Sequence, residues 1–166
     1  NLGLDNITPK NLYRLRAINI DDTTTLKSLN DKVREAIRDK KIIIEAGHGI
    51  NDECWRPINE KIICRHYDFV ESKQGVLWCT TMINIIKYII QRDSIEIAYE
   101  EINDTTLKLQ FKHTKFNFET IPLTISFSKK VTALQKNKKL IISKYKNKYF
   151  LRTSDFKNDI LISLAK

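Results

Sequence analysis

The sequence predicts an α+β fold: N-terminal helices, a buried central helix over about 79–91 packed on a mostly antiparallel sheet, and a C-terminal helix. Three observations predict it. Apolar residues recur at helical spacing in the first half, as in Leu26, Leu29, Val33 and Ile37. Past residue 94 the period drops to two, as in Leu107, Leu109 and Phe111. Only 4 Gly and 3 Pro punctuate the 166 residues, without repeats or low-complexity tracts. The chain is therefore read as a single domain, 1–166, with a helical N-terminal part (about 8–40) and a sheet-rich basic part (about 95–153).

Each element has a local reason. Thr8-Pro9 pairs an N-cap with a proline at the first helical position, predicting a short helix to about Ile18. Asp22 to Thr25 is a cap cluster, and the stripe from Leu26 to Ile37 predicts a helix to about Lys40 with a charged outer face. Lys41 to Glu45 reads as a short strand stopped by Gly47-His48-Gly49, residues 50–60 as loop, and Lys61 to Val70 as a strand. Cys79 to Gln91 is apolar on nearly every side, which predicts the buried helix. Ile95/Ile97/Tyr99 and Leu107/Leu109/Phe111/His113 then read as strands about an Asn103-Asp104 turn, and Ile121 to Phe127 as another. Leu140 to Tyr145 and Lys148 to Thr153 form a hairpin about Lys146-Asn147, and Ser154 caps a helix to Leu164.

Charge is distributed unevenly along this pattern. Residues 1–107 carry 15 Lys/Arg against 17 Asp/Glu, whereas residues 108–166 carry 14 against 3. Between Glu119 and Asp155 there is no acid. A surface of one sign points to an anionic partner, nucleic acid first and an acidic protein or anionic membrane next. Lys144, Lys146 and Lys148 at the hairpin, with Tyr145 among them, are the expected substrate-binding residues: lysines for phosphates, an aromatic face for a base. The competing reading is a solvated surface of a lysine-rich chain, since base readout favours the arginine fork. No membrane role is expected, because the longest apolar stretch, Val76 to Ile90, is too short and polar to span a bilayer. The 3 cysteines suit a reducing compartment better than a disulfide framework. The expected location is the cytoplasm, or a target cytoplasm if the chain is the active domain of a secreted effector or toxin.

Residues 47–79 gather the groups suited to chemistry. His48 on a glycine turn, His66, Glu71 and Lys73 are the expected catalytic residues of metal-free RNA cleavage, in which a base activates the ribose 2′-hydroxyl and a cation stabilises the phosphorane. Asp52 followed 19 positions later by Glu71-Ser72-Lys73 resembles the PD-(D/E)XK nuclease superfamily, which implies a Mg2+ ion held by Asp52 and Glu71, with Lys73 orienting the attacking water. No metal is expected otherwise, since the cysteines and histidines lack paired zinc-ligand spacing. Cys79 ahead of an apolar helix, with His113 later in the chain, resembles the order of papain-like proteases and deamidases and implies a thiol nucleophile. A non-catalytic binding module for nucleic acid or an acidic protein is the remaining reading.

The reading that joins the basic hairpin to the reactive middle is a small ribonuclease-like toxin or effector domain. RNA is expected ahead of DNA as its substrate. An acidic inhibitor protein over residues 129–152 is its expected partner.

Overall fold

A computed structural model describes residues 3–51, 54–113 and 115–164, save the Tyr145 side chain. The fold is mixed α and β, with three helices and several antiparallel sheets among these residues, and the chain divides into two compact units, 1–82 and 83–166.

The first unit is organised by two helices. Helix α1 (Leu26–Asp39) begins with a reciprocal cap: the Thr25 hydroxyl accepts from the Ser28 amide, and the Ser28 hydroxyl accepts from the Thr25 amide. It ends at Lys40 in the left-handed region, with φ 53°. Its inner face buries Leu29, Val33 and Ala36. Short strands flank it: β1 (Asp5–Asn6) pairs antiparallel with β3 (Lys41–Ile42), and β2 (Ile18–Ile20) pairs parallel with β4 (Glu45–Gly47). Helix α2 (Glu60–Glu71) starts at Asn59, whose side chain accepts from the Lys61 amide, and buries Ile63 and His66.

Two expectations change here. The predicted strand over 61–70 is helix α2, because residues three apart, Ile63 and His66, are the ones buried. The predicted helix over 8–18 is a turn-rich segment leading into β2. Its Tyr13 is 99% exposed, so no apolar stripe is available to hold a helix against the core. Asp5 instead fixes the segment by accepting from the backbone amide and the guanidinium of Arg16.

Helix α3 (Met82–Ser94) leads the second unit. It is not a buried central helix: Ile89 and Gln91 are its buried residues, while Met82 and Ile83 are exposed. Gln91 makes a two-way amide pair with Ile121, donating to its carbonyl at 2.8 Å and accepting from its N–H at 2.6 Å. Strands β5 (Glu96–Asn103), β6 (Thr106–Lys112), β8 (Val131–Gln135), β9 (Lys138–Lys139) and β12 (Ile160–Leu164) form an antiparallel sheet in the order β5-β6-β12-β8-β9. Strands β7 (Leu123–Phe127), β10 (Ile142–Tyr145) and β11 (Lys148–Thr153) form a second, in the order β10-β11-β7. One core joins the two, with Leu109, Ala133, Ile160 and Ile162 from the larger sheet meeting Leu151 from the smaller.

The predicted C-terminal helix is strand β12. Its alternation buries Ile160 and Ile162 while Leu161 faces out, which is a strand pattern at the centre of a sheet. Ser154 does not cap a helix there. The neighbouring Asp155 turns the chain instead, accepting from the Lys157 amide and the Asn158 side chain. Among the described residues no helix is long and apolar enough to cross a membrane.

Candidate nucleic-acid interface

The second unit carries 16 Lys/Arg against 8 Asp/Glu, and the first 13 against 12. Some acids of the second unit are paired with lysines outside the 129–152 run. Edge strand β5 holds Glu96, Glu100 and Glu101, and there Glu100 pairs with Lys108 and Glu96 with Lys112. Lys136 is bound to Asp155 at 3.4 Å. Asp155 sits below the usual carboxylate range because Asn158, the Lys157 amide and Lys136 all stabilise its charged form. Among the described residues, no carboxylate pairs with Lys129, Lys130, Lys138, Lys139, Lys144 or Lys148.

Strand geometry fixes where these cations point. The β8–β9 turn places Lys136 and Asn137 in the left-handed region (φ 50° and 62°), which suits the twist of a tight hairpin. The β10–β11 turn does the same with Lys146, at φ 53°. In the register of that hairpin Lys144 stands opposite Tyr149, and its ammonium lies 5.7 Å from the ring centroid. Lys148 stands opposite Tyr145. The Tyr145 side chain lies outside the described part of the structure, so its expected stacking role has no geometry here.

Between β8, β9 and the β10–β11 hairpin lies an open groove of about 390 Å³. Lys130, Lys139 and Lys144 line it, and Leu140, Ile141 and Tyr149 supply apolar surface. Ile141 is 89% exposed. Lys130 and Lys139 belong to the basic run of residues 129–152, whose charge does not by itself point to Ile141. The missed signal is an apolar pair, Leu140-Ile141, set directly after Lys138-Lys139.

The expected catalytic residues fall in the first unit and have separate surroundings. His66 is fully buried, with Nδ1 2.8 Å from Asn30 Oδ1 and Nε2 2.9 Å from Glu45 Oε1. Both ring nitrogens are thus occupied, and the residue ties α2 to α1 and β4. His48 is on the exposed loop after β4, edge-on to Trp55 with ring centroids 4.9 Å apart. Glu71 closes α2, and Lys73 lies just beyond it with its ammonium 4.9 Å from the Phe69 ring centroid. Residues two apart do not share a face at a helix end as they would on a strand, so the placement the nuclease resemblance requires is lost. Asp52 lies outside the described residues. No hydrogen bond or ion pair joins His48, His66, Glu71 and Lys73 to one another among the described residues, and no group of three His, Cys, Asp or Glu side chains is arranged to hold a metal.

Cys79 is exposed and precedes α3 by three residues, so it does not sit in that helix's first turn. It lines a cleft with Tyr67, Glu71 and Gln74. Burial holds the Tyr67 hydroxyl above its usual range, helped by the charges of Glu45 and Cys79. His113 belongs to the other unit, in the left-handed region at φ 57°, 3.9 Å from Glu96. It is exposed and not on the inward face of a strand, as its alternation with Phe111 had predicted.

In comparison with known proteins, no family model matches the chain, and no curated protein or solved structure matches it.

Proposed function

We propose that this chain is a nucleic-acid-binding domain whose second unit, 83–166, supplies the binding surface. One observation carries the reading: among the described residues no carboxylate pairs with Lys129, Lys130, Lys138, Lys139, Lys144 or Lys148, and three of these line a common groove. Exposed cations held apart from acids release phosphate counterions on binding, a favourable term that needs no sequence readout. The scarcity of arginine in this run, with Arg152 alone among the lysines, favours affinity for the backbone over recognition of particular base pairs. Cleavage forms no part of the proposal, because His66 is spent on Asn30 and Glu45, and among the described residues no hydrogen bond or ion pair joins His48, Glu71 and Lys73.

The test is fluorescence anisotropy with labelled RNA and DNA oligonucleotides over a salt series. The expected result is micromolar or tighter binding at low salt, with log K falling by about 3–4 per tenfold rise in salt, as for neutralisation of about five phosphates. Absence of binding to either nucleic acid at low salt would overturn the reading.

A further inference from the structure

We propose that the groove between β8, β9 and the β10–β11 hairpin is a subsite for single-stranded nucleic acid, gripping backbone phosphates with Lys130, Lys139 and Lys144 and packing unpaired bases on Tyr149 and Ile141. This rests on the nucleic-acid-binding reading above and names the form of nucleic acid that it takes.

The composition of the groove separates a single strand from a duplex. A duplex keeps its base faces stacked inside and offers a protein phosphates, sugars and base edges. Lysines alone would serve it. This groove instead has an apolar floor between its lysines, and Ile141 stands 89% exposed there with no part in the core. An aliphatic side chain in that position gains contact only from a partner that presents an apolar face close to its negative charge. Unpaired nucleotides do so at every step of the chain. At about 390 Å³ the groove has the capacity of a small-ligand site, suited to a flipped-out nucleotide or two and not to the width of a helix.

The Lys144–Tyr149 arrangement adds to this. The two stand opposite each other in register, with the ammonium 5.7 Å from the ring centroid. Stacking surface and cation thus lie side by side, so a strand that stacks a base here also has an ammonium within reach of its phosphates. Acidic peptides fit less well: carboxylates would satisfy the lysines, but nothing in a polyglutamate segment would fill the apolar floor.

The experiment compares a labelled 12-nucleotide single strand, as RNA and as DNA, with a blunt duplex of the same sequence, and adds polyglutamate as competitor. The expected result is that both single strands bind at least about tenfold more tightly than the duplex. Ile141→Ser, at an exposed position, should weaken single-strand binding about fivefold, leave the duplex unchanged and leave the salt slope as it was. The Lys130/Lys139/Lys144→Gln variant should lower that slope by about 2. Tyr149→Leu, checked by circular dichroism for its half-buried ring, should lose about tenfold on single strands.

Equal affinity for duplex and single strand, an inert Ile141→Ser, or displacement by polyglutamate as effective as by a single strand would each overturn the subsite. Failure of every nucleic acid to bind would overturn the functional reading as well, so the two can fail separately.

Discussion

The two units carry similar numbers of basic residues, 13 in residues 1–82 and 16 in residues 83–166, yet the acids that meet them are placed differently. In the first, the cations of α1 and Arg56 are matched at short range. On α1, Asp31 receives both Lys27 and Arg34, Lys32 meets Glu35, and Arg38 meets Asp39. Arg56 reaches back to the buried Asp21 and to Asp22. In the second, the β5 acids and Asp155 hold Lys108, Lys112 and Lys136, while among the described residues no carboxylate pairs with Lys129, Lys130, Lys138, Lys139, Lys144 or Lys148. Basic residue density is therefore a poor sign of a surface with net positive field. Segregation of the acids is the better one, because the net field survives only where neighbours do not cancel it.

Charge reversal should separate the two units most sharply. Lys130/Lys139/Lys144→Glu should reduce nucleic-acid affinity by about a hundredfold or more at low salt, measured by anisotropy. A matching reversal on α1, Lys27/Arg34→Glu, should change it less than about twofold, since those cations are already spoken for by Asp31. A large loss from the α1 variant would mean that compensated cations contribute after all, and would dissolve the contrast.

Stability offers a second contrast. The buried polar link Asn30–His66–Glu45 of the first unit can be set against the hydrocarbon core between the two sheets of the second. His66→Ala should cost about 3 kcal/mol by urea unfolding, because it leaves a cavity and two polar groups without their partner. Leu151→Ala, at a fully buried position between the two sheets of the second unit, should cost a similar 3 kcal/mol or so through its cavity alone. The two part on repair: Leu151→Met should recover most of the loss, whereas His66→Leu should not, since it leaves Glu45 facing an apolar side chain.

Acid sensitivity gives the smallest effect. Thr23 donates to Asp21 from its hydroxyl at 2.6 Å and from its amide at 3.0 Å, and Arg56 and Thr24 add to this, so the carboxyl is held below its usual range. A lowered native pKa contributes stability above the unfolded value of about 3.9, and that contribution is lost as pH falls through the native value. Between pH 5 and pH 2, Asp21→Asn should therefore show a shallower fall in Tm than the parent, starting from a lower Tm at pH 7. An unchanged slope would shift attention to Asp155, whose carboxyl is held down in the same direction.

Sequence alone reached some of this and not the rest, for physical reasons that differ by element. Helix α1 was legible because its stripe and its Thr25 cap agree. The β10–β11 hairpin was legible because Lys146-Asn147 is a turn pair between alternating strands. Helix α2 was missed because Ile62, Ile63, Tyr67, Phe69 and Val70 are residues that strands favour, and tertiary burial of Ile63 and His66 overrode that preference. Strand β12 was missed because five apolar-rich residues do not reveal their period, and a serine ahead of them imitated a cap. As for the site, the charge was plain in the sequence. Its segregation from acids was plain only in part, because β5 lies one strand pairing away from Lys108 and Lys112 and this depends on register. The burial of His66 was not legible at all, since an amphipathic side chain on a misread element gives no sign of which face it occupies.

The left-handed turns of the basic unit carry a consequence of their own. Lys136, Asn137 and Lys146 adopt a conformation that glycine takes without strain and that costs other residues about 1–2 kcal/mol. A chain selected for rigidity alone would fill these tips with glycine. Here they hold side chains that glycine would lack, and at position 136 that side chain is the partner of Asp155. Glycine at that tip would ease the backbone and dissolve the ion pair that ties the hairpin to the turn before β12, so conformational ease and tertiary anchoring are opposing demands on one residue.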